Sequence, residues 1–171
     1  MDSPTKSNGV NEKDMMLKTR ERELPIFVKV LKAYPKDKGD FKPHEMSRSG
    51  SELAFTLATE QMLAMQGLTA GKIDGAEGSI PAKPDSFDEI ISIFEKNYNE
   101  VQEKIKALSE EELNAEMSFF GNKMRKMDLI RLMIMDGVHH RGQFSVYIRM
   151  AGGKVPAMYG PSADEPYDAA K

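Results

Sequence analysis

Residues 131–150, RLMIMDGVHHRGQFSVYIRM, most constrain what this chain can fold into. The stretch is apolar at helical spacing, yet it carries an acid, two histidines, two arginines besides Arg131 and a glutamine. Side chains three, four and seven positions apart share a helix face. Asp136, His140, Gln143 and Tyr147 therefore project from one side, with His139 and Arg141 about 100° away in opposite senses. A polar stripe on an apolar helix belongs against a cleft or a wet bundle centre, so this helix needs partners. Gly137 and Gly142 fall inside it, where each costs about 1 kcal/mol relative to alanine. Close helix approach, or room for a ligand, would account for them.

The partners are legible upstream. Asn11 or Asp14 starts a first helix reaching about Tyr34, with Met16, Leu17, Leu24, Phe27, Val28, Leu31 and Tyr34 at helical period. Pro25 should kink it or leave one carbonyl unpaired. After a loop punctuated by Pro35, Gly39 and Pro43, one of Ser47, Ser49 and Ser51 caps a second helix over about 52–66. Its inward residues are Leu53, Leu57, Met62 and Leu63. Residues 67–85, rich in glycine and proline, read as a long irregular crossing, the kind of loop that serves as a lid or interaction surface. Ser86 with Glu89, and Ser109 with Glu112, have capping-box spacing. They open a third helix to about Leu108, with Phe94 mid-stripe, and a short extra turn. Residues 114–124 read as a loop or short extended segment before the last helix, about 126–151, which Gly152 and Gly153 close.

A chain of 171 residues fits one domain. The expected division is a disordered segment 1–10, a four-helix bundle over 11–160 and a tail over 161–171. A net charge of −3 implies no nucleic-acid surface. The absence of cysteine fits a reducing cytoplasm and removes thiolate ligands. No apolar run approaches the roughly 20 residues of a membrane span, and the first residues lack the apolar core of a signal peptide. Thirteen methionines and no tryptophan suggest a soft core, with Met133 and Met135 inside it.

The run HHRGQFSVYIRMAGGKVPAMYGPS resembles the C-terminal signature of the DinB-like (DinB/YfiT-type) family, through its HRGQ, its small-residue helix end and its VP…YGP tail. SRSGSELAFTLATE resembles the family's entry into helix two. The resemblance spans nearly the whole chain. It implies an all-α four-helix bundle of DinB-like topology, with a long loop between helices two and three, often assembled as a homodimer. It also implies a mononuclear divalent-metal site of three histidines, one on helix two and a HxxxH pair on the last helix. Those positions fall on Thr56, Asp136 and His140, so the site is degenerate. Gln143, Tyr147, His139 and Arg141 stand around it as pocket or outer-layer groups.

A threonine hydroxyl is a poor donor for zinc or nickel. Two readings of the site stay open: a weakly held divalent metal, or a metal-free pair in which Asp136 accepts a hydrogen bond from His140. Two functions follow, and the residues single out no catalytic group. One is a non-catalytic or metal-free stress or binding protein with an unidentified small-molecule ligand. The other is a divalent-metal-dependent, thiol-dependent transferase or hydrolase.

Overall fold

The computed structural model describes residues 11–75 and 80–167. The segment 1–10, read as disordered, lies outside the described residues, as do residues 76–79 of the crossing and 168–171 of the tail. Four long helices form the body: α1 (Glu12–Lys32), α2 (Gly50–Ala70), α3 (Phe87–Ala107) and, after the short α4 (Glu110–Asn114), α5 (Lys126–Met150). The expected all-α bundle is what the chain forms.

Local chemistry sets the helix ends. The Asn11 side chain accepts from the Lys13 N–H, and Ser49 and Ser109 each complete a reciprocal capping box with Glu52 and Glu112. Such caps satisfy amide groups that have no partner inside the helix. α1 runs on through Pro25, which leaves the Glu21 carbonyl without its intrahelical donor.

Two boundaries differ from the expectation. α2 continues one turn past residue 66, because Gly67 is a packing glycine rather than a breaker. A Cβ there would run into Leu129 of α5, Ile73 and Met117. The helix stops at Gly71, which takes the left-handed φ of 68° that glycine tolerates. The segment expected as loop or extended is a hairpin, β2 (Glu116–Phe119) and β3 (Asn122–Arg125), turned at Phe120 and Gly121 with positive φ at both. β1 (Lys72–Ile73) pairs parallel to β2.

The interior has two apolar clusters. One gathers Phe27, Tyr34, Phe87, Phe94, Tyr98 and Phe144; the other gathers Met16, Leu68, Ile105, Leu113, Leu129 and Met133. On every long helix, buried polar residues mark the junction of the two sets: Arg20 and Glu23 on α1, Glu60 and Gln61 on α2, Gln102 next to Val101 on α3, Arg141 on α5. Arg20 donates from Nε to Gln102 (3.1 Å) and from Nη2 to Gln61 (3.0 Å) and the Tyr98 carbonyl (2.9 Å). Its guanidinium lies 3.9 Å from the Tyr98 ring centroid. A polar layer thus crosses the bundle at mid-height, and the candidate site is where that layer meets the surface.

Met133 is in the core, but Met135 is 65% exposed, because it lies on the far side of α5 from α2. The tail through Tyr167 is tied to the bundle. Asp164 pairs with Arg149 and accepts from the Val155 N–H, and Glu165 pairs with Lys29.

Candidate functional site

α2 and α5 bring three metal-competent side chains together: Glu60, Asp136 and His140, whose ligand atoms all lie within 4.8 Å of one another. His140 Nε2 is 3.1 Å from Glu60 Oε1 and 3.8 Å from Asp136 Oδ1. Glu60 is only 5% exposed, and neither of its oxygens has a well-formed hydrogen bond among the described residues. Gly137 lies beside the cluster, and the neighbour it makes room for is Phe27 of α1. A Cβ there would stand 3.1 Å from Phe27 and 3.8 Å from Glu60 Oε2. Gly142 has open space around it, so no packing among the described residues requires it.

The hydrogen-bond network assigns the imidazole's protons. The Gln143 amide NH2 faces His139 Nε2 at 3.1 Å, so its Oε1 is left to accept from His140 Nδ1, also at 3.1 Å. Neutral His140 with its proton on Nδ1 then sets the unprotonated Nε2 beside two carboxylates. That arrangement is repulsive unless a proton or a cation stands between them. Burial pushes the Glu60 carboxyl above its ordinary range, and the Glu60 contact pushes His140 above the usual histidine value.

The metal-free protein should therefore lose stability as pH rises. Both folded-state pKa values are raised, so the native state holds more protons than the unfolded chain above the ordinary carboxylate and imidazole values of 4.5 and 6.5. Stabilisation present below those values is lost as pH climbs through the raised ones. Urea melts of chelator-treated protein between about pH 5 and pH 8 should show this decline, and Glu60→Gln should flatten it. A parent profile as flat as the variant's would contradict the proton assignment.

The structure separates the expected site residues. His140, Gln143 and Tyr147 line one cavity of about 470 Å³, with Ser47, Arg48, Leu53 and Val146. Thr56 lies one turn before Glu60 on α2. Its hydroxyl donates to the Glu52 carbonyl and accepts from Arg48 Nη1, and it lines a neighbouring cavity. Arg141 turns the other way. It is 1% exposed, donates to Glu23 Oε2 at 2.6 Å and to the Tyr159 hydroxyl, and lies over the Phe27 ring. His139 is exposed. Asp136 is beyond hydrogen-bond distance of His140, so the imidazole's carboxylate partner is Glu60.

Sequence reasoning missed Glu60. The available signal was a carboxylate in register with Leu53, Leu57 and Ala64, on the face of α2 that must be buried.

The donors fit a divalent cation. One imidazole and two carboxylates, with one carboxylate buried and unsatisfied, form a set that a 2+ charge would neutralise.

An all-α bundle with a histidine–carboxylate cluster between its second and last long helices is the class of protein that the fold and site define. The sequence model of the DinB family matches residues 82–169, about half of the chain, and the chain belongs to the DinB family. It is 29% identical to YjoA of Bacillus subtilis (strain 168) over 121 residues, which are 68% of this chain and 76% of YjoA. To YrdA of the same organism it is 40% identical over 53 residues, which are 31% of this chain and 32% of YrdA. The fold resembles the crystal structure of the DinB-like protein YjoA, with a TM-score of 0.69 at 22% identity over 84% of this chain and 96% of that one. It also resembles a DinB-like protein from Bacillus cereus ATCC 10987, with a TM-score of 0.73 at 23% identity over 84% and 95%. No helix among the described residues is long and apolar enough to cross a membrane.

Proposed function

We propose that this chain is a divalent-metal-dependent enzyme of the transferase or hydrolase type, with Glu60, Asp136 and His140 as its metal ligands. The observation that carries the reading is His140 Nε2 standing 3.1 Å from the buried Glu60 carboxylate, neither oxygen of which has a well-formed hydrogen bond among the described residues. The mixed donor set favours zinc or manganese over nickel, because carboxylates suit harder ions than three imidazoles do. A metal here would supply Lewis acidity to a water or thiol nucleophile. The chain's own residues do the rest. Gln143 fixes the His140 tautomer, Glu60 is held away from bulk water, and Tyr147 donates to the Arg48 carbonyl (3.1 Å) to shape the cavity wall. The absence of cysteine agrees with work in the cytoplasm, and the net charge of −3 agrees with a small-molecule rather than a nucleic-acid ligand.

Calorimetric titration of untagged, chelator-stripped protein with zinc and with manganese tests this. One ion per chain should bind. Glu60→Gln and His140→Ala should each weaken it by more than the roughly 10- to 100-fold that loss of an outer-shell partner costs. Binding should weaken with falling pH as protons compete for the same site. No binding tighter than millimolar would return the chain to the other class, a metal-free binding protein.

The same reading includes a homodimer. Met135, Gly142, Val146 and Met150 fall within a narrow stripe of α5, and all four are exposed. This stripe, which also carries the exposed His139, has a glycine at its middle and suits close helix–helix contact between two copies. Sedimentation at micromolar concentration should show the dimer, and Gly142→Leu should weaken it. Monomer alone in the parent would retire this part.

A further inference from the structure

We propose that the cavity next to the metal cluster is the anion-holding half of a bipartite substrate site, and that its ligand is a small amphiphile ending in a carboxylate or phosphate. The inference deepens the metal-centre reading and rests on it for which end of the ligand reacts. The two cavities, of about 700 and 470 Å³, meet at Ser47 and Arg48, which line both. The larger is within the size range of small-molecule sites.

Its walls divide into two chemistries. Phe55 and Ile80 present apolar surface, while Lys42, Arg48 and Lys83 bring positive charge. Two carboxylates, Glu45 and Glu52, also face it and offset part of that charge. Glu52 Oε2 accepts the Ser49 N–H at 2.6 Å, and that bond holds the carboxyl below its ordinary range and fixes it at the start of α2. Three cations against two carboxylates leave the wall net positive.

Neither Lys42 nor Arg48 makes an ion pair among the described residues, and the Arg48 side chain donates one hydrogen bond there, to Thr56 at 3.2 Å. The Arg48 backbone, by contrast, is anchored by the Tyr147 hydroxyl. An anchored backbone with most of a guanidinium's five donors unused is ready to receive an anion. Met46, 86% exposed, stands at the same cavity. An exposed flexible thioether suits a cover for the apolar body of a ligand.

The probes are hexyl phosphate and hexanoate, with hexanol as the neutral control, titrated calorimetrically into metal-free and metal-loaded protein. Saturable binding of one or both anions is expected, about tenfold or more weaker in the double variant Arg48→Gln, Lys42→Gln. Anion binding to metal-free protein is read without the metal, and the zinc and manganese titrations read the metal centre without the anion, so the two proposals fail separately. Hexanol binding as tightly as the anions, no saturable anion binding, or a double variant equal to the parent would overturn the inference. So would co-sedimentation with anionic phospholipid vesicles in place of soluble-anion binding, since the cations would then serve a membrane surface.

Discussion

Arg141→Ala should destabilise the protein by roughly 3–5 kcal/mol, the usual consequence of removing one partner from a buried ion pair. Arg141 is fully enclosed, with Glu23 at 2.6 Å and its guanidinium 4.5 Å from the Phe27 ring centroid. The Tyr159 hydroxyl donates to the same Glu23 oxygen at 2.7 Å, which binds the C-terminal segment into the pair. Truncation to alanine leaves the buried Glu23 carboxylate with the tyrosine alone and opens a void beside Phe27. Urea melts at neutral pH measure the loss. The double variant Glu23→Leu, Arg141→Met should recover most of it, because two apolar side chains of similar volume remove the orphaned charge. A single-variant loss below about 1 kcal/mol would show that the pair contributes little to holding α1 against α5.

Phe94→Ala should cost a comparable 3–5 kcal/mol, by a different mechanism. Phe94 is completely buried on α3, with ring centroids 5.4 Å from Phe27 and 5.6 Å from Tyr98. Deleting the ring removes its transfer free energy and leaves a cavity that these tilted neighbours cannot fill without giving up their own packing. The same melts apply, and a loss below about 1 kcal/mol would mean that the cluster collapses around the gap. Arg141 and Phe94 both touch Phe27, so their losses should not add when the two changes are combined.

The helices are legible in the sequence because their signals are local. Serine three residues before glutamate marks the starts at Ser49 and Ser109, and apolar period marks the α3 stripe from Phe87 to Ile105. His140, Gln143 and Tyr147 share a cavity because helical spacing alone puts them on one side. What escapes the sequence is every feature that depends on a residue of another helix. Gly67 reads as a breaker until Leu129 is seen to need its space. Arg141 reads as a pocket group until Glu23, from α1, is seen to hold it on the opposite side. Glu60 has the composition of a surface residue, and only the approach of α5 turns it into half of the site.

The polar layer has a consequence for how the helices can move. Apolar burial is non-directional, and helices held through it alone could slip lengthwise past one another with little penalty. Here a slip of one turn, about 5.4 Å, would drive Arg20 or Arg141 into hydrocarbon and strand their acceptors. The layer therefore works as a detent that indexes all four long helices to one axial position. Glu60 lies in the same layer and is also a wall of the surface cluster, so the slip that strands the arginines would part it from His140 as well.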